Sequence, residues 1–313
     1  MRILITGASG FVGSAICRAL VGSGHTVLGL TRGSPIPVPG VMAVAGDMSR
    51  PHEFLSLLDQ ARPDAIIHAA AIVSRGVPDV DASMRINVDA TRALARAARE
   101  TGVARWIQIS SMSAHPANKS VYGGSKFAAD HAVREEAPPW TIVRPSLVYG
   151  SDQRGIFFRL AQMVSVWPAI PLPGGGGDPV QPIHGDDLAD LVLRALADSA
   201  PRNRTVMAGG ATPYTFRGLV AAMADMLGRR PALLPVPLPL CRFLSAGAQA
   251  LLTDPPLTLD NLEGLARAQL CDNRLAIEQY DWHPRPFETG FLQCLQEGLL
   301  ASSDRSQAAD LEN

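Results

Sequence analysis

The sequence is short of the residues that mark several whole classes of protein. It has only four cysteines in 313 residues, at 17, 241, 271 and 294, and none are spaced as metal ligands or as a redox pair. That argues against a disulfide framework and a thiolate metal site, and the expectation is four buried thiols in a reducing compartment. Neither sign of charge is in excess. The net charge of −1 gives no field that would draw nucleic acid or an acidic surface. No apolar run reaches the ~18 residues of a membrane span. The chain does not open on an apolar targeting segment either, because Arg2 to Thr6 leads straight into glycines. The expected address is cytoplasmic. Hydrophobic residues, by contrast, make up 47% of the chain, enough at this length for one large α/β domain and a smaller one.

The glycines of the opening stretch "ILITGASGFVG" fall at 7, 10 and 13. Ile3-Leu4-Ile5 reads as a buried strand, and Ser14 to Val21 as a helix that ends at Gly22 and Gly24. The glycines therefore sit on a strand-to-helix turn. There Gly7 permits the tight turn, Gly10 lets a pyrophosphate approach the backbone, and Gly13 lets the helix pack close to the sheet. The helix N-terminus then presents N–H groups to phosphate. The spacing is GxxGxxG, and a triplet alone also fits purely structural turn glycines. At the end of the next strand, Thr26 to Leu30, Thr31-Arg32 stands where an acidic ribose ligand is expected. A guanidinium accepts a 2′-phosphate that a carboxylate would repel, which favours NADP over NAD. Arg32 as a solvated loop residue is the alternative.

Strands and helices then alternate. Strands are expected at 41–45, 65–70, 106–110 and 141–145, and helices at 51–61, 81–101 and 122–136. Such alternation predicts an α/β fold with a doubly wound parallel sheet. Ligands of such sheets bind at the carboxyl ends of the strands, where Asp47, His68-Ala69-Ala70, Ser110-Ser111 and Arg144-Pro145 fall. Tyr122 and Lys126 lie four apart on one helix face. A tyrosine is a poor base at neutral pH, and a nearby ammonium is expected to lower its pKa. With Ser111 bonding the same substrate oxygen, the set could move a hydroxyl proton while a nicotinamide moves a hydride.

With "TGASGFVG", "GDMSRP", "HAAAIV", "INVDAT", "ISSMS", "YGGSK" and "RPSLVYG" in order, and "PIHGDDLADLV" beyond, the chain resembles the extended short-chain dehydrogenase/reductases, also called the NAD-dependent epimerase/dehydratase family. The resemblance implies a Rossmann-type sheet over residues 1–150. It implies a smaller, mostly helical substrate-binding region over 151–300, which can interleave with the first, and a flexible tail over 301–313. It implies Ser111, Tyr122 and Lys126 as catalytic residues. The implied cofactor set is Gly7, Ser9, Gly10, Phe11, Val12, Gly13, Thr31, Arg32, Asp47, Met48, Ala69, Ala70, Ala71, Asn87, Ile109, Ser110, Tyr122, Lys126, Arg144 and Pro145. Within it the three glycines hold the pyrophosphate, Asp47 contacts the adenine, and Ala69 and Ala70 line the cofactor. Asn87 steadies the strand end, and Lys126 binds the ribose and tunes Tyr122. The implied partners are NADP, or NAD, and a small-molecule substrate, with room for a homodimer and no metal.

The second half departs from the sugar-nucleotide members. Leu147 replaces an expected Asn, and Val180 or Gln181 an expected Arg, so a diphosphate would lack its partners. Met112 and Ser113 replace the Asp-Glu pair of the 4,6-dehydratases. The interval from Ser111 to Tyr122 is shorter than usual. "PLPGGGGDPVQP" reads as a turn between short strands, "TFRGLVAAMADMLG" as an amphipathic helix, and 238–252 as a more apolar helix that covers the core, with a membrane- or partner-facing surface as the alternative. This half looks most like a branch that includes the nucleotide-binding accessory subunit of respiratory complex I. Three functions follow: an NAD(P)-dependent oxidoreductase or epimerase acting on a secondary alcohol or carbonyl, a sugar-nucleotide 4-epimerase, or a protein that holds NADPH without turnover.

Overall fold

The computed structural model describes residues 1–73, 79–118, 120–152, 156–198, 203–241, 243 and 270–300. The tail at 301–313 and most of the apolar stretch at 238–252 lie outside them. The chain divides into two compact units. One comprises Met1–Pro145, Gly185–Ala208 and Cys271–Trp282, and the other Ser146–His184, Gly209–Leu270 and His283–Asn313.

The first unit is built on strands β1 (Arg2–Thr6), β2 (Thr26–Thr31), β3 (Val41–Ala45), β4 (Ala65–His68), β5 (Arg105–Ile109) and β6 (Trp140–Pro145). A seventh strand, Arg204–Ala208, pairs with β6 and was not anticipated, because regular alternation fades beyond residue 150. The order is Arg204–Ala208, β6, β5, β4, β1, β2, β3, and every pairing is parallel. This is the Rossmann-type sheet that the sequence implies. Continuous apolar runs such as Ile3-Leu4-Ile5 and Ile66-Ile67 are wholly buried, as strands covered on both faces require.

The helices are α1 (Phe11–Gly22), α2 (Phe54–Ala61), α3 (Val80–Met84), α4 (Ala90–Glu100) and α5 (Val121–Glu136). Phe54, Leu58, Leu94, Ala98 and Val133 from α2, α4 and α5 join Leu4, Ile66, Trp106 and Ile142 of the sheet in one core cluster. The helix Gly185–Ala197 packs against α1, β5 and β6. The helix expected over 81–101 is interrupted by a π-helical turn, Arg85–Asp89. The extra residue in that turn accommodates Asn87, whose side chain bonds back to Ile72.

The second unit has its own core of Tyr149, Phe157, Leu172, Leu219, Met223, Phe287 and Phe291. The glycine-rich run joins the strands Ala169–Pro173 and Pro179–Val180, and the helix Phe216–Met226 is capped by Thr215, whose hydroxyl accepts the Gly218 N–H at 3.0 Å. All four cysteines are buried thiols, and burial pushes the Cys17 thiol up to about 12. Among the described residues no helix is long and apolar enough to cross a membrane.

A one-way hydrogen-bond chain ties β1, β4 and α4 together. The Ala70 N–H donates to Thr6 Oγ1 at 3.1 Å, so the Thr6 hydroxyl donates to His68 Nδ1 at 2.7 Å. The Thr91 hydroxyl donates to the Asn87 carbonyl at 2.8 Å, so Thr91 Oγ1 accepts from His68 Nε2 at 2.8 Å. Each hydroxyl has one proton to give, which makes His68 a neutral imidazole protonated on Nε2. Burial pushes its pKa down to about 3, with the Lys126 charge adding to the shift. Between the ordinary 6.5 and about 3 the unfolded chain therefore binds a proton that the folded chain does not. Stability must fall as pH drops through that window. In His68→Gln this contribution is absent. The gap between urea midpoints at neutral and mildly acidic pH is expected to be smaller than in the wild type.

Candidate active site at the switch in strand order

Strand order reverses between β4 and β1, and a doubly wound sheet opens a crevice at such a point. Gly7 leaves β1 there with φ +71°, and a Cβ on it would lie 2.7 Å from the Ala70 nitrogen. A Cβ on Gly13 would lie 2.0 Å from the Gly7 carbonyl oxygen, so α1 can start this close to the loop only without a side chain. Gly10 caps α1 with no side-chain hydrogen bond, and no acidic residue stands in the first turn. A bare helix N-terminus with an unopposed dipole fits a pyrophosphate. Ser9, Phe11 and Val12 are partly exposed along this loop, and the Phe11 carbonyl accepts the Ser14 hydroxyl at 2.9 Å. Across the switch, Ala69, Ala70 and Ala71 are partly exposed, and the Ala69 N–H donates to the Thr6 carbonyl.

At the end of β2, Thr31 is committed to its own turn. Its hydroxyl donates to the Ser34 carbonyl at 2.7 Å and accepts the Gly33 N–H at 3.2 Å. Arg32 is exposed, and its charge helps hold the Asp47 carboxyl below its usual range, after the hydrogen bond from the Ser49 N–H. Met48 packs its partly buried side chain on the core.

Asn87 grips the extension of β4. Its Oδ1 accepts the Ile72 N–H at 2.7 Å, and its Nδ2 donates to the Ile72 carbonyl and to Ser125 Oγ, both at 3.0 Å. Ser125 lies on α5, whose N-cap Ser120 accepts the Gly123 N–H at 3.0 Å. The strand end and the helix bearing Tyr122 are thus joined through one amide. Asn118 Nδ2 donates to the Ser113 carbonyl at 3.0 Å and closes the short loop between Ser111 and α5.

Ser111 Oγ accepts the Ser113 N–H at 3.0 Å, and its hydroxyl is a hydrogen-bonding partner of the Tyr122 hydroxyl. Lys126 is buried and donates from Nζ to the Ile109 carbonyl at 2.7 Å. Neighbouring Ser110 is buried, its N–H donates to the Val143 carbonyl, and the Pro145 carbonyl accepts the Met112 N–H. The electrostatics differ from the sequence-based expectation. Burial pushes Tyr122 up to about 12, the Ser111 hydrogen bond pulls it back, and the Asp130 charge adds to the rise. Lys126, turned to the Ile109 carbonyl, does not offset this, and burial lowers its own pKa to about 8.

Two participants were not singled out from the sequence. Asp130 is fully buried and pairs with Arg144, so the Arg144 guanidinium is engaged rather than presented to a ligand. The signal was its place four residues after Lys126. Ser125, the anchor for Asn87, has no sequence signal beyond its neighbours.

Comparison with known proteins agrees with this geometry. The model of the NAD dependent epimerase/dehydratase family matches residues 3–209. The mitochondrial NADH dehydrogenase (ubiquinone) 1 alpha subcomplex subunit 9 of Arabidopsis thaliana is 28% identical over 302 residues, covering 90% of this chain and 73% of its own. Ceramide reductase of Caulobacter vibrioides is 31% identical over 256 residues, covering 79% of this chain and 76% of its own. The structure of MoeE5 in complex with UDP-glucose and NAD shares the fold, with a TM-score of 0.75 at 20% identity, covering 96% of this chain and all of that one. The match of that family model to residues 3–209, on a sheet with this strand order, makes this chain a member of the NAD dependent epimerase/dehydratase family of NAD(P)-dependent oxidoreductases and epimerases.

Proposed function

We propose that the protein reduces a carbonyl to a secondary alcohol, with Tyr122 as the proton donor. The observation that carries this reading is the half-buried Tyr122 hydroxyl hydrogen-bonded to Ser111, on a helix whose next turn bears the buried Lys126. A phenol near 12 keeps its proton throughout the neutral range, so it is poised to give one rather than take one. Ser111, beside the Tyr122 hydroxyl, orients the substrate oxygen. Ceramide reductase, among the relatives, is by name a reductase. The bound dinucleotide would supply the hydride. The bare α1 N-terminus would hold its pyrophosphate, Ala69 and Ala70 would line it, and Lys126 would bond its ribose.

Lysine is used sparingly: the chain has two, Lys119 and Lys126, against 26 arginines. A compact point charge able to shift its pKa stands at 126, where a forked guanidinium would not.

The sugar-nucleotide reading fits less well. Leu147 packs against the core of the second unit, Val180 is buried, and Gln181 Nε2 donates to the Gly210 carbonyl at 2.8 Å. None of the three is left as a cationic or amide partner for a diphosphate. The reading as a cofactor-holding protein without turnover rests on the likeness to the NADH dehydrogenase subunit. Tyr122 and Ser111 are the residues such a protein would not need.

Tyr122→Phe keeps the ring and removes the transferable proton. On a substrate found from a panel of ketones and aldehydes, turnover is expected to fall about 10²–10⁴-fold with cofactor affinity near wild type. Turnover at the wild-type rate would refute the assignment. NADPH binding without turnover on any carbonyl would favour the cofactor-holding reading.

NADP(H) is the proposed cofactor, because Arg32 is exposed at the end of β2 and no carboxylate stands at 31 or 32. Fluorescence titration is expected to show tighter NADPH than NADH binding. Arg32→Ala should cost NADPH about 1.5–3 kcal/mol, the range of a hydrogen bond to a charged group, and leave NADH nearly unchanged. Equal losses for both cofactors would count against a 2′-phosphate contact.

The holoenzyme is also expected to bind UDP-glucose, UDP-galactose and GDP-mannose no better than millimolar by calorimetry. A micromolar dissociation constant for any of them would restore the epimerase reading.

A further inference from the structure

Tyr122, Lys126 and Asp130 recur every four residues along α5, which stacks them on one helix face. The reading above uses the first two and leaves Asp130 unexplained. Its carboxylate is 0% exposed. Arg144 Nε and Nη2 both donate to Asp130 Oδ2, at 2.9 and 2.7 Å. Asp130 Oδ1 is buried and accepts no hydrogen bond. Arg–carboxylate pairs frequently fork across both oxygens. Here one oxygen takes both N–H groups and the other keeps its charge unmatched.

Lys126 has the complementary problem. It is buried, its one hydrogen bond goes to a neutral carbonyl, and an ammonium in such a place tends to lose its proton. The groups around it come from three elements. His68 on β4 is a neutral imidazole, Tyr122 on α5 is a neutral phenol, and Arg144 on β6 is bound to Asp130. The negative charge that acts on Lys126 is that of Asp130.

We infer that Asp130, fixed by Arg144, is a positioning residue that keeps Lys126 a charged ammonium inside the protein. The inference rests on the proposed role of Lys126 for its meaning in catalysis, but not for its test. Burial already brings Lys126 down to about 8, and Asp130 opposes that fall. Without Asp130 the midpoint must drop further. The amine would then be largely neutral at physiological pH and unable to offer its charge.

The scarcity of lysine makes this directly measurable. Protein labelled with ε-¹³C-lysine gives two side-chain signals, from Lys119 and Lys126, and Lys126→Met assigns them. The Lys126 signal is followed against pH in the full chain without cofactor or substrate. In Asp130→Asn the midpoint is expected to fall by about one unit or more, and in Asp130→Glu to stay near the wild-type value. Asp130→Leu combined with Arg144→Met removes both charges at similar volume. Such replacements are often neutral or stabilising, so this variant decides the matter if Asp130→Asn fails to fold. The midpoint should fall in it as well.

An unchanged or raised midpoint in the double variant overturns the inference, since a purely structural pair would alter melting temperature and leave the midpoint in place. A fall in Asp130→Asn alone, with the double variant at the wild-type value, assigns the effect to an unpaired Arg144 and overturns it too. A fall in both, in a protein that binds neither NADPH nor NADH, supports this inference and refutes the proposed function instead.

Discussion

The site depends on one close approach of backbones. Where the chain leaves β1, Gly7 comes so near Ala69 and Ala70 that a Cβ would overlap them, and α1 begins against the Gly7 carbonyl. These contacts place the helix N-terminus at the reversal of strand order, where a ligand can reach both. They also bring the end of β4 into the hydrogen-bond chain from Ala70 through Thr6, His68 and Thr91 to the Asn87 carbonyl. The Asn87 side chain passes the same constraint on to Ile72 and to Ser125 of α5. The glycine loop and the helix that bears Tyr122 are therefore parts of one hydrogen-bonded frame. Three glycines and one amide set their spacing.

Within that frame the buried polar groups differ in how they are supported. The Thr6, His68 and Thr91 chain is neutral and fully paired, which suits burial without charge. Lys126, Asp130 and Arg144 carry charge into the same interior, where unmatched charge is costly. A core built for stability alone would fill those positions with apolar side chains. Holding three ionisable groups there is intelligible if Lys126 must be an ammonium in a dry place, because a surface ammonium would be screened and mobile.

Much of this was legible in the sequence because the strongest signals were local. The run Ile3-Leu4-Ile5 followed by spaced glycines identifies a strand, a turn and a helix with no knowledge of the rest. Tyr122 and Lys126 show their common face by spacing alone. What escaped depended on partners far along the chain. The strand Arg204–Ala208 is recognisable only through its pairing with β6. The π-helical turn at Arg85–Asp89 looks like ordinary helix until Asn87 is seen to bond Ile72. The direction of the Tyr122 shift was misjudged for the same reason. Spacing put a cation four residues away, but the Lys126 side chain extends to the Ile109 carbonyl, and burial then dominates.

That misjudgement bears on the direction of the chemistry. A tyrosine whose pKa a nearby ammonium had lowered would be a base, suited to oxidising an alcohol near neutral pH. The tyrosine in this structure, near 12, holds its proton. On one helix face, burial has driven an acid upward and a cationic base downward, to about 12 and about 8. In the proposed reading the phenol gives the proton, and the amine supplies charge only while something sustains it. The buried carboxylate one turn further along α5 is positioned to sustain it. In the proposed reading, the protonated Tyr122 and the need for Asp130 are two consequences of the same dry environment.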